Sequence, residues 1–135
     1  MEVVTICLDT NAYGAFKRGH AQIQGLLEEA EEVFVPVIVL GELYAGFAIG
    51  TRERTNLREL EEFLRKPGVT IAETSQAVAE RYGGLVKTLR AIGMPIPTND
   101  VWIAATAMEA GARVVSLDDH FARIPAVVCV PIDPA

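Results

Sequence analysis

Four acidic residues stand apart from the rest of this 135-residue chain because each sits where a carboxylate is unexpected or well placed to act. Asp9 follows the apolar run Val3 to Leu8. Glu42 interrupts Val37 to Gly46, with Ile38, Val39, Ala45 and Gly46 as its helical neighbours, so it projects from an apolar surface. Asp100 opens a helical pattern with Ile103 and Ala104 on its face, and Asp118 follows the strand-like run from Arg113. A lone Asp at such a place is usually a helix cap. A carboxylate on an apolar helix is different, since it loses hydration at a cost of several kcal/mol unless a cation or donors compensate. Carboxylates converging on one cleft would repel each other without cations. With no His or Cys counted among them, the set selects a hard ion such as Mg²⁺ or Mn²⁺. Such ions lower the pKa of an attacking water and clamp the oxygens of an in-line displacement at phosphorus, so metal-dependent phosphodiester hydrolysis is the natural chemistry.

Convergence requires a particular scaffold. Val3 to Leu8 lacks polar alternation, as a strand covered on both faces does, and places Asp9 at the carboxyl edge of a sheet. A short helix through Phe16 follows, then a helix Ala21 to Ala30 with Ile23, Leu26, Leu27 and Ala30 inward and an acidic, solvated face. A strand at Val33 to Val35 leads through Pro36 into a helix Val37 to Ile49, apolar nearly all round, which asks for several neighbours or a partner chain. Thr51 is placed to cap a helix with Leu57, Leu60, Phe63 and Leu64 inward, running to Arg65. A strand Val69 to Ala72 comes next, then a helix capped by Thr74 or Ser75 with the stripe Val78, Tyr82, Leu85, Val86, Leu89 and Ile92, closed by Gly93. Met94 to Pro97 forms an extended loop, with Thr98 and Asn99 as caps for a helix Asp100 to Ala110. A strand Arg113 to Leu117, a helical turn at Phe121 and a strand Val127 to Val130 complete an alternating pattern. Such alternation implies a parallel α/β sheet under helices on both faces, in a single domain.

Half the residues are hydrophobic, enough for an ordered core, and the net charge of −6 argues against a broad basic face. Cys7 and Cys129 read as free thiols in a reducing compartment. Neither a leader nor an apolar run of spanning length is evident, so a cytoplasmic location and no membrane contact are expected.

The stretches Leu8-Asp9-Thr10-Asn11, Val37 to Gly46 around Glu42, Asn99 to Ala105, and Val114 to Phe121 occur in the order found in a known family. On them the chain resembles PIN-domain endoribonucleases, most closely the VapC-type toxins of toxin–antitoxin pairs. The resemblance implies a three-layer α/β/α fold with the first strand central, and RNA cleavage with Mg²⁺ or Mn²⁺. Asp9, Glu42, Asp100 and Asp118 would be the catalytic, metal-holding quartet, with Asp118 preferred to Asp119 by its spacing from Ser116 and Phe121. It also implies a cognate VapB-type antitoxin and a homodimer. Thr10, Asn11 and Ser116 could donate to metal-bound water or phosphate, or serve as turn residues. His20 and His120 read as surface residues and Trp102 as core. Lys17, Arg18, Arg52, Arg54, Arg58, Lys87 and Arg90 could meet RNA phosphates or simply be solvated.

Other readings use the same residues. A haloacid-dehalogenase-like phosphatase also ends its first strand in Asp, but needs a second Asp where Asn11 stands. An inactive PIN-type binding module would use the acids only for metal or partner contact.

Overall fold

The computed structural model describes residues 4–133. Within them a five-stranded parallel sheet runs in the order β3-β2-β1-β4-β5, with β1 (Thr5–Leu8) in the middle, β2 (Glu32–Pro36) and β3 (Val69–Ala72) on one side, and β4 (Arg113–Val115) and β5 (Cys129–Val130) on the other. Consecutive β1 side chains point to opposite faces, yet Ile6, Cys7 and Leu8 are all at most 1% exposed, so both faces of the sheet are covered. The covering helices are α1 (Thr10–Lys17), α2 (Ala21–Glu29), α3 (Val37–Ile49), α4 (Glu53–Leu64), α5 (Gln76–Ala91) and α6 (Thr98–Ala110). This is the three-layer arrangement expected from the alternation of strands and helices. None of these helices is long and apolar enough to cross a membrane.

The chain builds β1, β2 and β3 outward in one direction, then returns to pair β4 with the free side of β1. The reversal makes the β1/β4 boundary the switch point, where short loops diverge above the strand ends and leave a crevice. Pairing of Ile6, Cys7 and Leu8 with Arg113, Val114 and Val115 continues one step further, where the Asp9 amide donates to the Val115 carbonyl at 3.3 Å. The loop after β4 is therefore held in register with the loop after β1.

Several element ends differ from the sequence reading. Val3 lies outside the described residues. β4 stops at Val115, so Asp118 sits in a loop three residues past the strand rather than at its end. β5 is confined to Cys129–Val130. Thr51 caps nothing: Arg52 takes the N-cap position of α4 without a side-chain bond, while Ser75, not Thr74, caps α5 by accepting from the Val78 amide. Pro97 precedes α6, so Thr98 and Asn99 fall inside its first turn. Pro has no amide to lose there and its fixed φ suits a helix entry, which lets the helix begin two residues early. Leu57 and Ile92, expected inside, are exposed.

Helix α3 is covered on one side only. Val39, Leu40 and Leu43 are buried, whereas Tyr44 is 47% and Ile49 87% exposed, with Gly41, Ala45 and Ala48 beside them in solvent. Its all-round apolarity is thus not used up by this chain's own core. Cys7 is a buried free thiol in β1, and burial pushes its pKa well up, so it packs as a small hydrophobe. Phe121, 1% exposed, begins a short 3₁₀ turn (Phe121–Arg123) and pins the loop after β4 to the core. Phe121→Ala should cost about 3–5 kcal/mol in urea denaturation, the scale for emptying a packed aromatic site.

Candidate functional site

The four acids reach the carboxyl edge of the sheet from different elements, each for a local reason. Asp9 follows β1 and caps α1: its Oδ1 accepts from the Ala12 amide at 2.9 Å. The other carboxylate oxygen accepts from the Ser116 hydroxyl, which lies beyond β4. Ser116 Oγ in turn accepts from the Asp118 amide at 2.9 Å, and Asp118 Oδ1 accepts from the His120 amide at 3.1 Å. The loop from Ser116 to His120 is thereby folded on its own side chains as linked Asx and ST turns. Asn11 completes the brace, its Oδ1 accepting from the Leu117 amide at 3.0 Å.

Asp100 arrives in the first turn of α6. Asp100 and Asp118 approach each other around an imidazole: His120 Nδ1 lies 2.9 Å from Asp100 Oδ2 and 3.1 Å from Asp118 Oδ2. Glu42 comes from α3 and is held at both oxygens. Thr10 Oγ1 donates to one, and Asn99 Nδ2 to the other at 3.4 Å. Since Thr10 adjoins Asp9 and Asn99 adjoins Asp100, these contacts set Glu42 between the α1 and α6 ends of the group.

Asp9 is 4% exposed. Its carboxyl is pushed up to about 6, first by burial and further by the charges of Asp100 and Asp118, against the lowering effect of the Ser116 and Ala12 hydrogen bonds. His120 is raised above its ordinary value, chiefly through its bond to Asp100. A buried acid whose pKa is pushed up beside two further acids marks a site short of positive charge. Oxygen donors on rigid element ends suit a hard divalent cation.

One expectation changes here, that for His120, and the three supporting residues gain protein partners. Thr10, Asn11 and Ser116 are engaged with the protein itself: Thr10 orients Glu42, Ser116 orients Asp9, and Asn11 holds the β4 loop. His120 is not a plain surface residue, and the acids are not without a nitrogen neighbour, because Asp100, Asp118 and His120 bring one ligand atom each within 4.8 Å of one another. The Asp-x-His spacing in a turn was the available signal, since an Asx turn folds the ring back over the carboxylate two residues earlier. His20 serves elsewhere, capping α2 at 3.4 Å and contacting the Asp133 carbonyl at 2.8 Å. Trp102 stacks on Tyr82, ring centroids 3.9 Å apart, at the α5–α6 seam.

Of the basic residues, Lys17, Arg18 and Arg52 line one hollow with Tyr13, Phe47 and Asn56, although Lys17 also pairs with Glu59 at 2.8 Å.

The fold and this edge together define a family. The PIN domain profile matches residues 6–127, and the chain belongs to the PIN-domain family. Ribonuclease VapC4 of Mycobacterium tuberculosis is 33% identical over 98 residues, covering 73% of this chain and 75% of that protein. Among solved structures, VapBC2 from Rickettsia felis, bound to a DNA fragment from its promoter, superposes with a TM-score of 0.85 at 27% identity, over 96% of this chain and 100% of the matched one. DNA-bound VapBC from Salmonella typhimurium shares the fold with a TM-score of 0.83 at 24% identity, over 95% and 98% of the two chains.

The raised Asp9 pKa carries a stability consequence. Because the folded-state value lies above the ordinary 3.8, the folded chain binds this proton more tightly than the unfolded one. Stability therefore falls as pH rises through the window from about 4 to about 6, and the ionised carboxylate is a net cost above it. Asn caps a helix as well as Asp does. In chelator, Asp9→Asn should be more stable than wild type at pH 7.5 by roughly 1–3 kcal/mol, with the gap closing toward pH 4. Urea titrations at the two pH values measure it.

Proposed function

We propose that this protein is a metal-dependent endoribonuclease, the toxin of a type II toxin–antitoxin pair, with Asp9, Glu42, Asp100 and Asp118 as its catalytic and metal-holding residues. The observation that carries the reading is the placement of buried Asp9 beside Asp100 and Asp118 at the β1/β4 switch point, with Glu42 tied to Thr10 and Asn99 next to them. Mg²⁺ or Mn²⁺ is the cation the oxygen donors fit; when bound, it would supply Lewis-acid stabilisation of a phosphoryl oxygen and a water activated near neutral pH.

The chain's own residues prepare that chemistry. Asp9 is aimed by two donors, the Ala12 amide and the Ser116 hydroxyl, and positive charge beside it would favour its ionised form. Thr10 and Asn99 restrain Glu42, so less side-chain freedom remains to be lost when an RNA phosphate arrives. Lys17, Arg18 and Arg52 are suited to backbone phosphates, positioning a strand without reading its bases. The phosphatase alternative is disfavoured because Asn11, at the position needing a second acid, is an amide already accepting from Leu117.

Partners follow from the surface. The solvent-facing apolar side of α3 suits an amphipathic segment of a VapB-type antitoxin or the second subunit of a homodimer. Relatives crystallised as VapBC complexes from Rickettsia felis and Salmonella typhimurium support the antitoxin reading.

The test is cleavage of total RNA by purified protein with Mn²⁺ or with EDTA. Chelation should abolish cutting, and Asp9→Asn or Asp100→Asn should each reduce it by about a hundredfold or more, as expected for loss of a preorganised charged group. Cleavage that persists through both treatments would remove the metal mechanism. Thr10→Val should lower the rate about tenfold, matching loss of one hydrogen bond to a charged acceptor.

A further inference from the structure

We infer that His120 is a metal ligand: its Nδ1 joins Asp100 and Asp118 in one coordination shell and biases the site toward Mn²⁺ and later first-row divalent ions over Mg²⁺. The inference rests on the nuclease reading above and adds a nitrogen donor to an otherwise all-oxygen set.

Geometry carries it. Nδ1 lies 2.9 and 3.1 Å from one oxygen of each Asp, and the two oxygens come from separate elements, the first turn of α6 and the loop after β4. A single ring proton can lie along one of these lines, not both, whereas a cation can accept from all three atoms at once. Neighbouring ligands of a six-coordinate ion bound at about 2.1 Å stand about 3 Å apart, the spacing found here. The ring is also held in place. Phe121 is buried immediately after it, and the His120 amide donates to Asp118 Oδ1, leaving Oδ2 of the same carboxylate toward Nδ1. Coordination requires the Nε2–H tautomer, in which Nδ1 presents its lone pair.

A nitrogen donor changes which ion is preferred. Mg²⁺ favours oxygen and keeps its waters, while imidazole raises affinity along the series that begins at Mn²⁺. The chain would then load Mn²⁺ from a mixture in which Mg²⁺ is far more abundant.

The decisive measurement is electron spin echo envelope modulation on the metal-free full-length protein loaded with MnCl₂. Wild type should show ¹⁴N modulation from a directly bound imidazole, and His120→Gln should lose it while still binding Mn²⁺. Titrations followed by the free Mn²⁺ EPR signal should show affinity lower by about tenfold in His120→Gln. Mg²⁺ affinity, measured by competition, should change by less than about twofold. Bound Mn²⁺ without nitrogen coupling in wild type would overturn the inference and leave the nuclease reading standing. Nitrogen coupling that persists in His120→Gln would overturn it as well. Failure of wild type to bind Mn²⁺ at all would also overturn the inference, while the nuclease reading would then be decided by the cleavage assay with Mg²⁺ and with EDTA.

Discussion

Like charges crowded at one edge of a sheet are the constraint around which this molecule is arranged. Burial raises the cost of ionising Asp9, and the charges of Asp100 and Asp118 raise it further. Left to relax, such side chains would turn outward to water. Here the acids are instead tied to partners: Ser116 and Ala12 for Asp9, Thr10 and Asn99 for Glu42, the His120 amide for Asp118 and the His120 ring for Asp100. The polar residues around the edge are thus chiefly restraints on acids.

The sheet order makes this crowding possible. With β1 in the centre and β4 added on its open side, the loops after both strands rise from neighbouring positions, and a hydrogen bond from Asp9 to Val115 locks their relative height. Helices α3 and α6 then bring Glu42 and Asp100 to the same edge, where Asn99 beside Asp100 donates to Glu42, with α6 starting early because Pro97 permits it. Folding energy invested in a dry core, with Ile6, Cys7 and Leu8 sealed on both faces, thereby offsets the strain of an edge that is electrostatically unfavourable by itself.

Much of this was legible in the residues. Alternating apolar runs and breakers marked the elements, and α3 was placed at its observed bounds because Pro36 and Gly50 flank it. The acids stood out because carboxylates on apolar faces need a reason. What sequence could not convey were relations between distant loops. Thr10 and Ser116 are ordinary turn residues until the fold sets one beside Glu42 and the other beside Asp9. His120 was hidden for the same cause: its importance depends on Asp100, twenty residues earlier and on another element. Strand ends misread at Leu117 and Val127 reflect loop residues apolar enough to pass for strand.

An edge assembled from both ends of the chain also has an order in time. During synthesis, β1, β2 and β3 leave the ribosome well before Asp100, Ser116 and Asp118, and proteins fold as they emerge. A nascent chain that has reached only α5 holds Asp9 and Glu42 but lacks Asp100, Ser116 and Asp118, so the acidic edge stays incomplete until α6 and the loop after β4 have been made.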